Sequence, residues 1–80
     1  MKEETIRTSE IDFANVEKIY FGKDRGCRCG CNGTYSTPES KQFENKISAI
    51  KRLGEVDSQV TEGYINIPVR NNRAYTLYFK

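Results

Sequence analysis

Eighty residues restrict the chain to a single domain with a thin core, burying only roughly 60–65% of its unfolded surface. Thirteen basic against 11 acidic side chains leave a formal charge of +2, far below that of a dedicated nucleic-acid coat. With 36% hydrophobic residues and a mean hydropathy of -0.74, no stretch approaches the roughly 18–20 apolar residues that span a bilayer.

Residues 1–12 are polar and aperiodic, which predicts a flexible or loosely docked tail. The start, Met1-Lys2-Glu3-Glu4-Thr5-Ile6-Arg7, lacks the apolar stretch of a secretory signal, so a cytoplasmic location is expected. Val16 to Phe21 is rich in β-branched and aromatic residues and reads as a strand. Gly22 to Gly33 then holds four glycines in twelve residues and breaks any regular element. Thr34-Tyr35-Ser36 can return as a short strand, making the glycine-rich run the tip of a hairpin.

A helix follows. Thr37 is a candidate N-cap with Pro38 at the first helical position, and Ser36 with Glu39 has capping-box spacing. Phe43, Ile47, Ile50 and Leu53 recur every three or four residues as one apolar stripe, and Gly54 is placed to end the helix in the left-handed region. Two strands close the chain: Ile65, Ile67 and Val69 alternate with polar neighbours, as do Tyr75, Leu77 and Phe79. A two-residue turn would set these apolar sets on opposite faces. A three-residue loop at 71–73 would pair Val69 with Tyr75 and Ile67 with Leu77, so an odd-length loop or a bulge is expected. Pro68 lacks an N–H and belongs at an edge or facing outward. The order is β-(β)-α-β-β, an α+β fold with a small antiparallel sheet of three or four strands and one helix packed on one face.

The chemistry concentrates in Gly26-Cys27-Arg28-Cys29-Gly30-Cys31-Asn32-Gly33. Cys27, Cys29 and Cys31 could bring three thiolates to one zinc ion, but the chain has no histidine and no further cysteine to complete a tetrahedral shell. An odd, clustered set of three also argues against a disulfide framework and for reduced thiols. Lys23, Arg25 and Arg28 flank the same glycines, whose backbone N–H groups suit an anion. Arg70 and Arg73 bracket Asn71-Asn72 at the tip of the last hairpin. Tyr64 and Tyr78, with Tyr20, fall on the face opposite the expected core and can stack on bases or anchor a partner. Without histidine, neither a Ser-His nor a Cys-His pair is available, and no enzyme is expected.

The run from Ile19 to Tyr35, with Gly22-Lys23 followed by Cys27 through Tyr35, resembles a type of short uncharacterised protein encoded by tailed bacteriophages. That resemblance covers about a quarter of the chain and implies a phage context, in which small accessory proteins often inhibit host systems. The expectation is a non-enzymatic antagonist of a bacterial defence system. Its partner is either a host defence protein, met through the outer sheet face and hairpin tip, or a small phosphorylated nucleotide held by Lys23, Arg25 and Arg28. The nucleotide form predicts a homo-oligomer, because so small a chain closes a pocket more readily at a subunit interface. A zinc-stabilised nucleic-acid-binding module is the alternative.

Overall fold

The computed structural model describes residues 2–23 and 33–80. Six strands form one antiparallel sheet: β1 (Lys2–Arg7), β2 (Val16–Lys23), β3 (Gly33–Ser36), β4 (Glu55–Thr61), β5 (Tyr64–Val69) and β6 (Arg73–Phe79). Their spatial order is β1-β4-β5-β6-β2-β3. One helix, α1 (Lys41–Lys51), connects β3 to β4, and two 3-10 turns, Thr8–Glu10 and Phe13–Asn15, connect β1 to β2. The α+β class holds, but the sheet exceeds the expected three or four strands by the pair β1 and β4.

These two strands hydrogen-bond to each other from Lys2↔Val60 to Arg7↔Glu55, so the expected tail is in fact the edge of the sheet. The core-facing positions of β4 read Val56-Ser58-Val60, and a buried serine interrupts the apolar alternation. Ser58 is tolerated there because its hydroxyl donates to the Glu4 carbonyl across the ladder (3.1 Å). β1 contributes only Ile6 to the core cluster. Beyond β1 the chain stays docked: the Thr8 N–H donates to the Gly54 carbonyl (2.7 Å), its hydroxyl to the Lys51 carbonyl (3.3 Å), and Ile11 is buried.

α1 starts later than expected. Thr37-Pro38-Glu39-Ser40 forms a β-turn, with the Ser40 N–H donating to the Thr37 carbonyl (3.0 Å). Ser40 is the N-cap, accepting from the Phe43 N–H at 3.1 Å. Pro38 therefore presets the turn rather than the first helical residue. Gly54 ends the segment at φ 75, as expected of a left-handed terminator. Phe43 and Ile50 are buried and Ile47 packs partly against them, whereas Leu53 lies exposed beyond the helix end. Lys46 donates to the buried Ser36 hydroxyl (2.8 Å), tying α1 to β3.

The β2–β3 hairpin is present, with Ile19↔Ser36 through Gly22↔Gly33 in register. The β5–β6 loop is odd, as parity demanded, but it spans residues 70–72: Val69 pairs with Arg73, Ile67 with Tyr75 and Ile65 with Leu77. Asn71 (φ 64) and Asn72 (φ 56) both adopt left-handed conformations, which lets the strands close one residue earlier. All six apolar side chains still share the core face. Ile19, Ile50, Ile67 and Leu77 have no solvent exposure and form its centre. Pro68 sits in an interior strand, faces outward and lies past the last β4–β5 pair, Gln59↔Asn66, where its missing N–H removes nothing from that ladder.

A bulge sets the parity of β2. Val16 pairs with Phe79 but Lys18 pairs with Tyr78, so Glu17 is an extra residue in the strand. Val16 is thereby buried on the core face while Lys18, two residues on, points out on the other face.

Candidate functional site

The β2–β6 ladder runs to its last pair, Lys23↔Arg73, at the end of the sheet where the glycine–cysteine loop leaves and the 70–72 turn returns. Two cations are thus directly opposite each other on neighbouring strands. Both are exposed, as is Arg70 in the adjoining turn. The next pair on the same face is Phe21↔Tyr75, whose ring centroids lie 4.5 Å apart at 36°. The Arg73 guanidinium carbon lies 5.8 Å from the Phe21 centroid. Burial of Tyr75 in this stack pushes its phenol above the ordinary tyrosine value. One end of the helix-side face therefore offers paired cations beside a half-buried aromatic pair. Arg25, Arg28, Cys27, Cys29 and Cys31 lie outside the described residues.

The opposite face carries four of the five tyrosines. The register sets Tyr64 beside Tyr78 and Tyr78 beside Lys18, with Tyr20 beside Tyr35 in the next row. Centroids are separated by 4.8 Å for Tyr20–Tyr35, 6.0 Å for Tyr35–Tyr78 and 5.7 Å for Tyr64–Tyr78. The Lys18 Nζ lies 5.3 Å from both the Tyr35 and Tyr78 centroids, within cation–π range. Behind this group Thr76 donates to Asn66 Oδ1 (3.0 Å). Tyr20 leans diagonally over Gly33, where any Cβ would collide with the end of its ring.

Of the residues singled out in the sequence, Lys23 comes together with Arg73, and Tyr64 with Tyr78. The cations and tyrosines do not form one site, because alternation places them on opposite faces. Tyr35 and Lys18 escaped the sequence reading: Tyr35 joins the face through the β2–β3 register, and Lys18 by plain alternation with Tyr20, a signal the sequence did carry. Further along the outer face, beyond the end of the β4–β5 ladder, a groove is lined by Glu3, Glu4, Thr5, Asp57, Ser58, Gln59 and Pro68. Thr5 donates to Asp57 there (2.8 Å), and no three His, Cys, Asp or Glu side chains among the described residues are grouped to hold a metal. No helix among those residues is long and apolar enough to cross a membrane.

The chain matches no known family model, no curated protein and no solved structure.

Proposed function

We propose that this chain is a non-enzymatic binding protein that holds a phosphorylated nucleotide at the Lys23–Arg73 end of the sheet. The observation that carries the reading is the adjacency of two rows: cations at Lys23↔Arg73 and rings at Phe21↔Tyr75. A phosphate at this end meets two cationic side chains, and a base has a half-buried aromatic pair one row away on which to stack. Arg70, in the adjoining turn, is a further donor, and Arg25 and Arg28 follow Lys23 in the sequence. The lack of any histidine supports binding without turnover near neutral pH. The resemblance of the loop to short phage proteins supports a biological role as a phage-encoded antagonist that sequesters a nucleotide signal of a bacterial defence system.

A thermal-shift panel of linear and cyclic nucleotides tests this. A nucleotide at 100 times its dissociation constant stabilises the fold by about 2.7 kcal/mol, on the order of 10–20 °C for a domain of this size. The Lys23→Ala/Arg73→Ala variant should remain folded and lose the shift. No shift with any nucleotide, or an unchanged shift in the folded double variant, refutes the assignment.

A further inference from the structure

We infer that the free edge of β1 is a self-association edge, on which β1 of a second copy adds antiparallel and joins the two sheets into one. This goes beyond the nucleotide reading and uses the edge of the sheet remote from Lys23 and Arg73.

β1 ends the strand order, and among the described residues no strand pairs with its outer side. The parity of the β1–β4 ladder fixes which backbone groups lie there. Thr8 continues the register to Gly54 and donates to its carbonyl, so the even-numbered residues of β1 bond to β4. The N–H and C=O groups of Glu3, Thr5 and Arg7 therefore turn outward. The Arg7 carbonyl serves the 3-10 turn that it caps, which leaves its N–H for the edge. Neither proline nor a bulge, the usual blunting devices of an exposed edge, interrupts β1 or its register with β4. With Ile6 turned to the core, the side chains of the same three residues stand exposed on the outer face.

Charge selects the occupant. An antiparallel partner must set outward-turned residues opposite outward-turned residues, which leaves few registers. Centring a two-fold axis on Thr5 sets Thr5 opposite Thr5, and Glu3 of each copy opposite Arg7 of the other. Opposite charges thus meet twice, in the self-complementary form of an isologous contact. Backbone bonds then run between the two Thr5 residues in both directions, and from each Arg7 N–H to the Glu3 carbonyl of the other copy. Centring on Glu4 instead sets the two Glu4 residues opposite each other, and centring on Ile6 leaves Glu3 without a counterpart in the strand. A uniformly acidic or uniformly basic partner strand would be repelled at one of the two charged positions. Ile6, half-buried at the margin of the core, gains a cross-strand neighbour in the Thr5-centred register. So short a run of paired backbone buries less than a standard interface, and the dimer is therefore weak and concentration-dependent.

Sedimentation velocity over a concentration series of the full chain decides the matter. The wild type should pass from monomer to dimer as the concentration rises. Glu3→Arg and Arg7→Glu, each at an exposed side chain, should each raise the dissociation constant by about tenfold or more, by setting like charges opposite each other. An equimolar mixture of these two variants should dimerise again, because each presents the sign that the other lacks. The double variant Glu3→Arg/Arg7→Glu should dimerise as the wild type does. Cooperative melting at one low concentration checks that each variant is folded. All of them retain Lys23 and Arg73, so the nucleotide panel on the same samples reports that site separately. A wild-type monomer at every concentration overturns the proposal. A dimer indifferent to either single substitution, or a mixture that associates no better than its components, overturns it equally, by placing self-association elsewhere.

Discussion

Gly33→Ala tests whether the outer tyrosines are held where the packing puts them. A methyl at position 33 would run into the end of the Tyr20 ring and lie 2.7 Å from the Phe21 carbonyl oxygen. Replacing glycine in a strand ordinarily stabilises by about 0.5–1 kcal/mol, through the entropy of the unfolded chain. Overpacking costs about 1–3 kcal/mol, so the net expectation is a loss of roughly 0.5–2 kcal/mol. For a domain of this length that lowers the melting temperature by several degrees, at about 4–8 °C per kcal/mol. The diagnostic is a double-mutant cycle in urea or heat at one fixed protein concentration. In a Tyr20→Ala background the ring is gone and only the carbonyl remains close, so Gly33→Ala should cost less by about 0.5 kcal/mol or more. A stabilising Gly33→Ala in the wild type, or the same cost in both backgrounds, refutes the packing of Tyr20 over Gly33.

Three further outcomes follow from the fold. Ser40→Ala should cost about 0.5–2 kcal/mol by removing the cap on the Phe43 N–H, whereas Thr37→Ala should stay within about 0.5 kcal/mol; the reverse ranking in chemical denaturation would move the start of α1 back to Thr37. Ile50→Ala should cost about 2–5 kcal/mol and exceed Ile47→Ala, because Ile50 is fully buried and Ile47 only partly; equal costs would mean that the helix is rotated on the sheet. Burial raises the Tyr75 phenol above 10.0, so the folded state favours its neutral form. The corresponding stability is complete below the unfolded value and is lost as pH rises through the folded one. Tyr75→Phe should flatten this alkaline loss of melting temperature, and an unchanged alkaline profile in the variant would contradict it.

What the sequence disclosed, and what it hid, divides along physical lines. Apolar alternation in Ile65-Ile67-Val69 and Tyr75-Leu77-Phe79 required a common face and an odd loop, and both hold. It did not determine the register, because two consecutive asparagines can close the loop at either end. β1 and β4 were hidden because they satisfy each other with polar groups: Ser58 fills a buried position by bonding to a carbonyl that becomes available only once β1 is paired. The Glu62-Gly63 turn between β4 and β5, with Gly63 at φ 95, was the available signal for that hairpin. For the site, single residues were legible and their grouping was not. Lys23 and Arg73 lie fifty positions apart in sequence, and only the β2–β6 register makes them neighbours.

The Glu17 bulge shows how much of the chemistry depends on such registers. With strict alternation along β2, Val16 and Lys18 would share a face, and either a valine would be lost from the core or a lysine driven into it. One inserted residue resolves the conflict locally, leaving Ile19↔Leu77 and Phe21↔Tyr75 on the core face and Tyr20↔Thr76 on the other. The insertion returns Val16 to the core, while Lys18, alternating with Tyr20, lies among the tyrosines, 5.3 Å from two of their rings. The helix-side row of Lys23, Arg73, Phe21 and Tyr75 and the outer row of tyrosines are thus two consequences of one strand's parity. A sheet with a single helix can cover only one face, so partition by parity gives so short a chain two chemically different surfaces on one thin core.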